Sequence, residues 1–192
     1  MIKLNSKKNI IHKMIITISG KQGAGKTSVS KILSGKLGYD LISIGNLHRE
    51  IAVERGMTIN ELMELGKKED WVHLEADKKT IEIGKTRDSF IIEGWLAYHF
   101  IPHSYKVFLS VNENVGAKRI FKDVRIDEPR AETIETTKQR LRKRLKNSQE
   151  GFKKHYNLDF LDQSNYDFVL DTTHLTLNQV VKKIEEEIKK IV

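Results

Sequence analysis

The chain has 192 residues, 39% hydrophobic and 31% charged, values ordinary for one soluble globular domain with a real core. Cysteine is absent, which excludes a disulfide framework and a thiolate metal site and suits a reducing cytoplasm. Net charge is +8, and residues 118–154 hold 13 Lys or Arg against 6 Asp or Glu, so most of the excess lies in one stretch. That stretch is either a solvated helix face or the mark of an anionic partner: nucleotide phosphates, nucleic acid or an acidic membrane. The apolar runs are too short to span a bilayer. The basic start "MIKLNSKKNIIHK" is not followed by a long apolar core, so no signal peptide is expected. The seven histidines show no zinc-type spacing.

The β-branched run "MIITIS" (14–19) predicts a short buried strand. A helix follows in "KTSVSKILSGKLG", with Val29, Ile32, Leu33 and Leu37 on one stripe and Gly38 as its stop. "YDLISI" (39–44) predicts a second strand, and "LHREIAVERG" a helix ending at Gly56. Thr58 and Glu61 have capping-box spacing at the head of "TINELMELGKK". "DWVHLEADKKTIEIGKT" predicts another helix. "SFIIEG" (89–94) is a strand ending in a carboxylate, "SYKVFLSV" (104–111) a further strand and "NENVGAKRIFKDV" a helix. A loop around Pro129, "RIDEPRAET", leads into a long helix to about residue 156, with Ile134, Leu141, Leu145 and Phe152 at helical spacing. "YDFVLDTT" (166–173) is the last strand and "LNQVVKKIEEEIKKIV" the closing helix. Strands alternating with helices argue an α/β fold, a parallel sheet covered on both faces.

Gly20-Lys21-Gln22-Gly23-Ala24-Gly25-Lys26-Thr27 fits G-x-x-x-x-G-K-[ST], between a predicted strand and a predicted helix. Glycines there let backbone N–H groups wrap a phosphate, and the helix N-terminus adds positive potential. Lys26 can reach the β- and γ-phosphates, and the Thr27 hydroxyl can ligate Mg²⁺, with Ser28 beside it. The motif therefore points to a bound nucleoside triphosphate, ATP. No N/T-K-x-D base-reading motif of a GTPase occurs, nor a strand ending in Asp-Glu as in motor ATPases.

A small kinase needs a second anion site, a carboxylate near the metal, and mobile arginines. Ser43 falls at a strand end, where open parallel sheets bind ligands, and Arg49 lies one to two helical turns on, able to clamp a monophosphate. Glu93 ends a central strand, where a buried carboxylate needs a cation or a donor; a metal-bound water, an acceptor-activating role and a structural ion pair are all open to it. Arg140 and Arg144 share one face of the long helix, four residues apart, while Arg142 and Lys143 point elsewhere. Arginines swung in by a lid over 118–154 stabilise charge on a transferring phosphoryl group and exclude water. Tyr98, His99, Phe100, His103 and Tyr105 form an aromatic-rich stretch that suits packing of a loop on the sheet or stacking of a base.

On three segments the chain resembles the nucleoside monophosphate kinases, most of all the archaeal-type cytidylate kinases. They are "MIITISGKQGAGKTSVSKILSGKLGYDLISIGNLHRE", "FIIEGWLA" and "HYNLDFLDQSNYDFVLDTT", and the likeness runs from Met14 nearly to the end. The resemblance implies a three-layer P-loop kinase fold with a five-stranded parallel sheet and a helical lid. It implies Mg²⁺- and ATP-dependent transfer to CMP or dCMP. It assigns Ser43, Arg49, Asp77, Glu93 and Gly94 to the monophosphate, with a monophosphate-binding region over about 43–86. Thr27 and Glu93 go to the metal, and Lys26, Arg119, Arg140 and Arg144 to the phosphoryl groups. It implies one kinase domain over 14–192 behind an extension of residues 1–13; a cytoplasmic monomer without a membrane is the expectation, with nucleic acid not expected but open to the basic lid region.

Two positions depart from the family. After Glu-Gly it usually has an arginine, and here stands Trp95; before the aromatic of the tyrosine–aspartate segment it usually has another, and here stands Gly151, ahead of Phe152. Lys153, Lys154 or Arg142 could replace those charges only as looser contacts. Rival readings are a shikimate- or adenylate-type kinase, or a P-loop protein that binds RNA through its basic stretch and uses ATP as a switch. Adenylate-type enzymes carry Phe-Pro-Arg after the third-strand glycine, where this chain has Trp95-Leu96-Ala97.

Overall fold

The computed structural model describes residues 14–66, 68–123 and 133–191. The extension 1–13, nearly all of the loop around Pro129, and with it part of the expected lid, lie outside the described residues.

Five strands form one all-parallel sheet. In chain order they are β1 (Ile15–Gly20), β2 (Asp40–Ser43), β3 (Phe90–Glu93), β4 (Tyr105–Ser110) and β5 (Phe168–Asp171). Their spatial order is β2-β3-β1-β4-β5. β1 is therefore central, and the chain crosses from one side of it to the other, so the crevice beyond its C-terminal end is where a ligand fits an open parallel sheet. All six β1 residues are buried.

Side chains alternate across the sheet. Ile16, Ile18, Val107 and Leu109 face α1 (Lys26–Leu37) and α8 (Leu177–Ile188), meeting Val29, Leu33, Val181 and Ile184. Burying each such aliphatic side chain contributes about 1.5–3 kcal/mol. On the other face Ile15, Phe90 and Ile92 pack on Ala97 and Ile101, at and just beyond the short α5 (Ala97–Phe100). Phe108 joins Phe160, Tyr98 and Tyr166, against Leu145, Phe152 and Tyr156 of the long α7 (Ile134–Tyr156). The same face of β1 carries polar groups with partners: Thr17 Oγ1 lies 3.0 Å from Ser104 Oγ, and Ser19 Oγ donates to the Gly94 carbonyl at 2.9 Å.

Helices α2 (Ile44–Glu54), α3 (Ile59–Leu65) and α4 (Trp71–Thr86) share a small core of Ile51, Ala52, Leu62, Val72 and Ala76. The Thr58–Glu61 capping box heads α3 as its spacing predicts. β2 ends one residue sooner than the pattern suggests, because Ile44 opens α2. α6 (Glu113–Lys122) packs beside α7, and the bidentate Arg142–Glu113 ion pair joins them. Two short elements carry no sequence signal: α5 and a 3₁₀ turn at Gln163–Asn165. Among the described residues no helix is long and apolar enough to cross a membrane.

Candidate active site

The loop from Gly20 to Gly25 joins β1 to α1, and backbone contacts that only glycine permits fix its path. Gly20 has φ +139°, and a Cβ there would lie 2.1 Å from the Leu109 carbonyl oxygen of β4. Gly23 has φ +77°, and its Cβ would lie 2.5 Å from the backbone of Gly116 on α6. The Lys21 N–H donates to Leu109 O at 2.9 Å, so the loop's first residue is tied to β4. Gly25 caps α1 without a side chain and Val29 N–H donates to its carbonyl, which leaves the helix mouth open toward an anion.

Lys26 lies folded along this loop, its Nζ donating to the carbonyls of Gly20 and Lys21 at 2.9 Å each. Ala24 is buried beneath the loop and Ser28 is exposed on the first turn of α1. The buried side-chain nitrogen of Gln22 meets no hydrogen-bond partner among the described residues, an unused donor within the loop. The Thr27 hydroxyl donates to both carboxylate oxygens of Glu93, at 3.0 and 2.9 Å. Glu93 is 8% exposed, and a buried carboxylate needs donors such as that hydroxyl or a cation beside it.

Hard oxygen donors at the mouth of a phosphate loop suit Mg²⁺, which keeps most of its waters and takes one or two protein oxygens plus phosphate oxygens. No cluster of three or more His, Cys, Asp or Glu that could hold a metal occurs among the described residues. Thr27 and Glu93 thus fit the group that the sequence assigns to them.

Glu93 pairs in register with Ser43, so the ends of β2 and β3 lie side by side. Ser43 is the N-cap residue of α2, yet its hydroxyl makes no capping bond. A Cβ on Gly45 would lie 3.5 Å from Ser43 Oγ and 3.7 Å from Arg49 Nη1, so hydroxyl and guanidinium flank the same backbone. Arg49 Nη1 also donates to Asn46 at 3.0 Å. Gly94 lies against Ile44, its Cβ position 2.5 Å from that side chain, which seats the turn after Glu93 on the head of α2.

Arg119 sits behind the loop. Its Nη2 donates to Thr172 O at 2.8 Å, and its Nη1 donates to Thr172 Oγ1 at 3.1 Å and to Gly23 O at 3.3 Å. It bridges the phosphate loop to the end of β5. Arg140 is exposed on α7; Arg144, one turn on, lies with Cζ 5.7 Å from the ring centroid of Trp95. Asp77, on α4, accepts a hydrogen bond of 2.5 Å from the Tyr156 hydroxyl at the end of α7. Burial raises the Asp77 carboxyl above the usual range, partly opposed by the Tyr156 bond and by His73.

The structure gathers groups that sequence reasoning missed. The ring centroids of His48 and His73 are 6.1 Å apart, and those of His73 and His155 are 6.5 Å apart. Three histidines from α2, α4 and α7 thus form a row of ring contacts, in which His73 lies near Asp77 and His155 meets the Tyr156 ring. His73 and Asp77 are four residues apart on one helix, a spacing that could have flagged them; His48 and His155 come from distant segments and carried no local signal. A concavity of about 440 Å³ lined by Arg55, Trp71, Leu74, Glu75 and Lys78 shares no residue with the phosphate loop, Ser43 or Glu93. In the aromatic stretch after β3, Tyr98 is packing, 5% exposed and against the Tyr166 ring, while His99 and His103 are exposed.

A phosphate loop after the central strand of an order 2-3-1-4-5 sheet, with a strand-end carboxylate bonded to the loop threonine, defines a P-loop kinase. The chain belongs to the cytidylate kinase-like family, whose model matches residues 15–174, and so stands among the nucleoside monophosphate kinases. It is 34% identical over 180 residues to a cytidylate kinase of Methanocella arvoryzae, covering 92% of this chain and 99% of that one. It is also 34% identical over 176 residues to an S-adenosylmethionine-dependent nucleotide dehydratase of Lacinutrix mariniflava. That match takes in 91% of this chain but only 36% of the longer protein. Among solved structures, a shikimate kinase from Bacteroides thetaiotaomicron aligns with TM-score 0.67 at 16% identity over 93% of this chain and 99% of that one, a likeness of fold.

Proposed function

We propose that this enzyme transfers the γ-phosphoryl group of ATP to CMP or dCMP, giving ADP and CDP or dCDP. The observation that carries the reading is the register pair Ser43–Glu93. It brings the strand end with the uncapped α2 and Arg49 beside the strand end with the carboxylate that holds Thr27.

An acceptor monophosphate at the head of α2 meets the helix dipole, the Ser43 hydroxyl and the Arg49 guanidinium. Lys26 leaves the Gly20 and Lys21 carbonyls for the β- and γ-phosphates of ATP, and the loop N–H groups cradle them. An acceptor phosphate oxygen then bonds to the γ-phosphorus as its bond to the ADP oxygen breaks. Positioning and charge stabilisation supply the catalysis, since phosphoryl transfer asks for little else of the protein. Thr27 and Glu93 would hold Mg²⁺, which neutralises charge on the phosphate oxygens when bound. Arg144, and Arg140 a turn before it, serve the phosphoryl groups as α7 closes. Arg119 acts through the loop, keeping Gly23 against the end of β5.

The test is an ADP-release assay with ATP and Mg²⁺ against CMP, dCMP, UMP, AMP, GMP and shikimate, with Lys26→Ala as control. Turnover on CMP or dCMP, lost in the control, is the expected result. ATP binding without turnover of any monophosphate would overturn the reading.

A further inference from the structure

Trp95 follows Glu93 by two residues, in the turn between β3 and α5. Its indole N–H donates to Gly20 O at 3.1 Å, the same carbonyl that accepts Lys26 Nζ at 2.9 Å. Its ring stacks on Phe160, centroids 5.3 Å apart at 28°, and meets Phe152 edge-on at 5.9 Å. The indole is thus held at its nitrogen, on a face and along an edge. The Arg144 guanidinium stands 5.7 Å from the ring centroid. Phe152 and Arg144 both project from α7, two turns apart, so one helix supplies both the packing partner and the cation.

The position matters for charge. Residue 95 follows Gly94, which is seated on Ile44 at the head of α2, and its side chain reaches the first carbonyl of the phosphate loop. It lies between the two places where phosphates would meet. Among the described residues, the acceptor side formed by Ser43, Arg49 and the head of α2 has Arg49 as its cation, and the turn over 94–96 contributes none of its own. A cation–π contact at an exposed site is weak, enough to bias a guanidinium and too weak to keep it from a phosphate.

We infer that Trp95 is a positioning residue that holds Arg144 ready for the acceptor's phosphate, so that α7, by way of the indole, supplies the charge that the β3–α5 turn lacks. This rests on the nucleoside monophosphate kinase reading above. It makes acceptor binding depend on the indole and the guanidinium as a pair, and it leaves ATP binding to the loop.

The experiment is a double-mutant cycle in a Trp71→Phe background, where Trp95 is the sole tryptophan of a chain that has two. KM for CMP and KM for ATP are measured for that parent, W95L, R144A, W95L/R144A and W95R/R144A. Expected are rises of roughly tenfold in KM for CMP in each single variant, about 1.4 kcal/mol of lost binding. KM for ATP rises less than KM for CMP in each variant, the W95L/R144A double is no worse than R144A alone, and W95R/R144A recovers most of the loss. W95F, which keeps a packed ring but no indole N–H and a weaker π-face, shifts KM for CMP in the same direction and guards against a folding artefact in W95L. Trp95 emission changes on CMP binding in the parent and not in R144A. Additive losses in the double, a parallel rise in KM for ATP, or an unchanged KM for CMP in R144A would overturn the inference while leaving the kinase reading intact. A parent with no monophosphate turnover would overturn both.

Discussion

The Thr27 hydroxyl donates to both oxygens of the Glu93 carboxylate, at 3.0 and 2.9 Å, across the gap between the first turn of α1 and the end of β3. One acidic group thereby orients the loop threonine before any ligand arrives. Glu93→Gln keeps the shape and an acceptor oxygen but removes the charge. We expect kcat to fall about 10²- to 10³-fold, the scale for losing one preorganised electrostatic group, with a raised Mg²⁺ requirement. Melting should change little, because the amide oxygen of that variant can still accept from Thr27. Turnover measured as a function of Mg²⁺ concentration checks this; an unchanged Mg²⁺ dependence would remove Glu93 from the metal.

Gly116 controls the loop from outside it. A Cβ there would come within 2.9 Å of the Gln22 carbonyl oxygen and 3.1 Å of Val111, while Gly23 already abuts the Gly116 backbone. Gly116→Ala gains helix propensity yet pushes α6 off the phosphate loop. Overpacking of this kind costs about 1–3 kcal/mol. The expected outcome is a lower melting temperature together with weaker ATP binding by calorimetry, although no loop residue has changed.

Much of this architecture was legible in the sequence. The G-x-x-x-x-G-K-T spacing, the strand-end Glu93 and the Thr58–Glu61 capping box depend on neighbours within a few residues, and local pattern carries them. The role of Gly116 was not legible, because a close approach of two backbones depends on how α6 docks. Arg119 reads as a phosphoryl-facing arginine, yet its guanidinium is turned to backbone carbonyls at Gly23 and Thr172. Which way a long side chain on a helix turns is decided by tertiary packing. The row of His48, His73 and His155 escaped notice for the same reason: three separate helices deliver it.

Gly151 lies in the interior of α7, and a Cβ there meets nothing within 4 Å. Glycine in a helix interior is worse than alanine by roughly 0.5–1 kcal/mol, through the freedom that it gives the unfolded chain. Gly151→Ala should therefore stabilise the protein by about that amount and leave KM for both substrates unchanged. Gly151→Arg finds the same open space. Denaturant midpoints for the two variants check the first expectation, and a fall in midpoint for Gly151→Ala would mean that the space is filled in solution.

His48 and Asp77 make stability depend on pH in two windows of opposite sign. Burial holds His48 below its ordinary value, and its Nδ1 lies 2.9 Å from Ile44 O, an arrangement that suits a neutral ring donating to that carbonyl. Below about pH 6.5 the unfolded chain takes up this proton before the folded one does, so stability falls as pH drops through that value. Asp77 shifts the other way: its carboxyl is raised, chiefly by burial. As pH rises from the unfolded value of about 4 to the higher folded value, the unfolded chain loses its proton first, and stability falls with rising pH until Asp77 ionises in the fold. Tyr156→Phe removes the hydroxyl that offsets this burial. It should cost about 1–3 kcal/mol at pH 7, the scale for leaving a buried acceptor unmade, and less near pH 4, where the carboxyl is protonated. His48→Gln should flatten the loss between pH 7 and 5, and Asp77→Asn the loss above pH 4. Melting curves from pH 4 to 8 on the parent and the three variants separate these effects: relative to the parent, the Tyr156→Phe deficit grows as Asp77 ionises, the His48→Gln deficit grows only as pH rises toward the ordinary histidine value, and the Asp77→Asn deficit shrinks with rising pH.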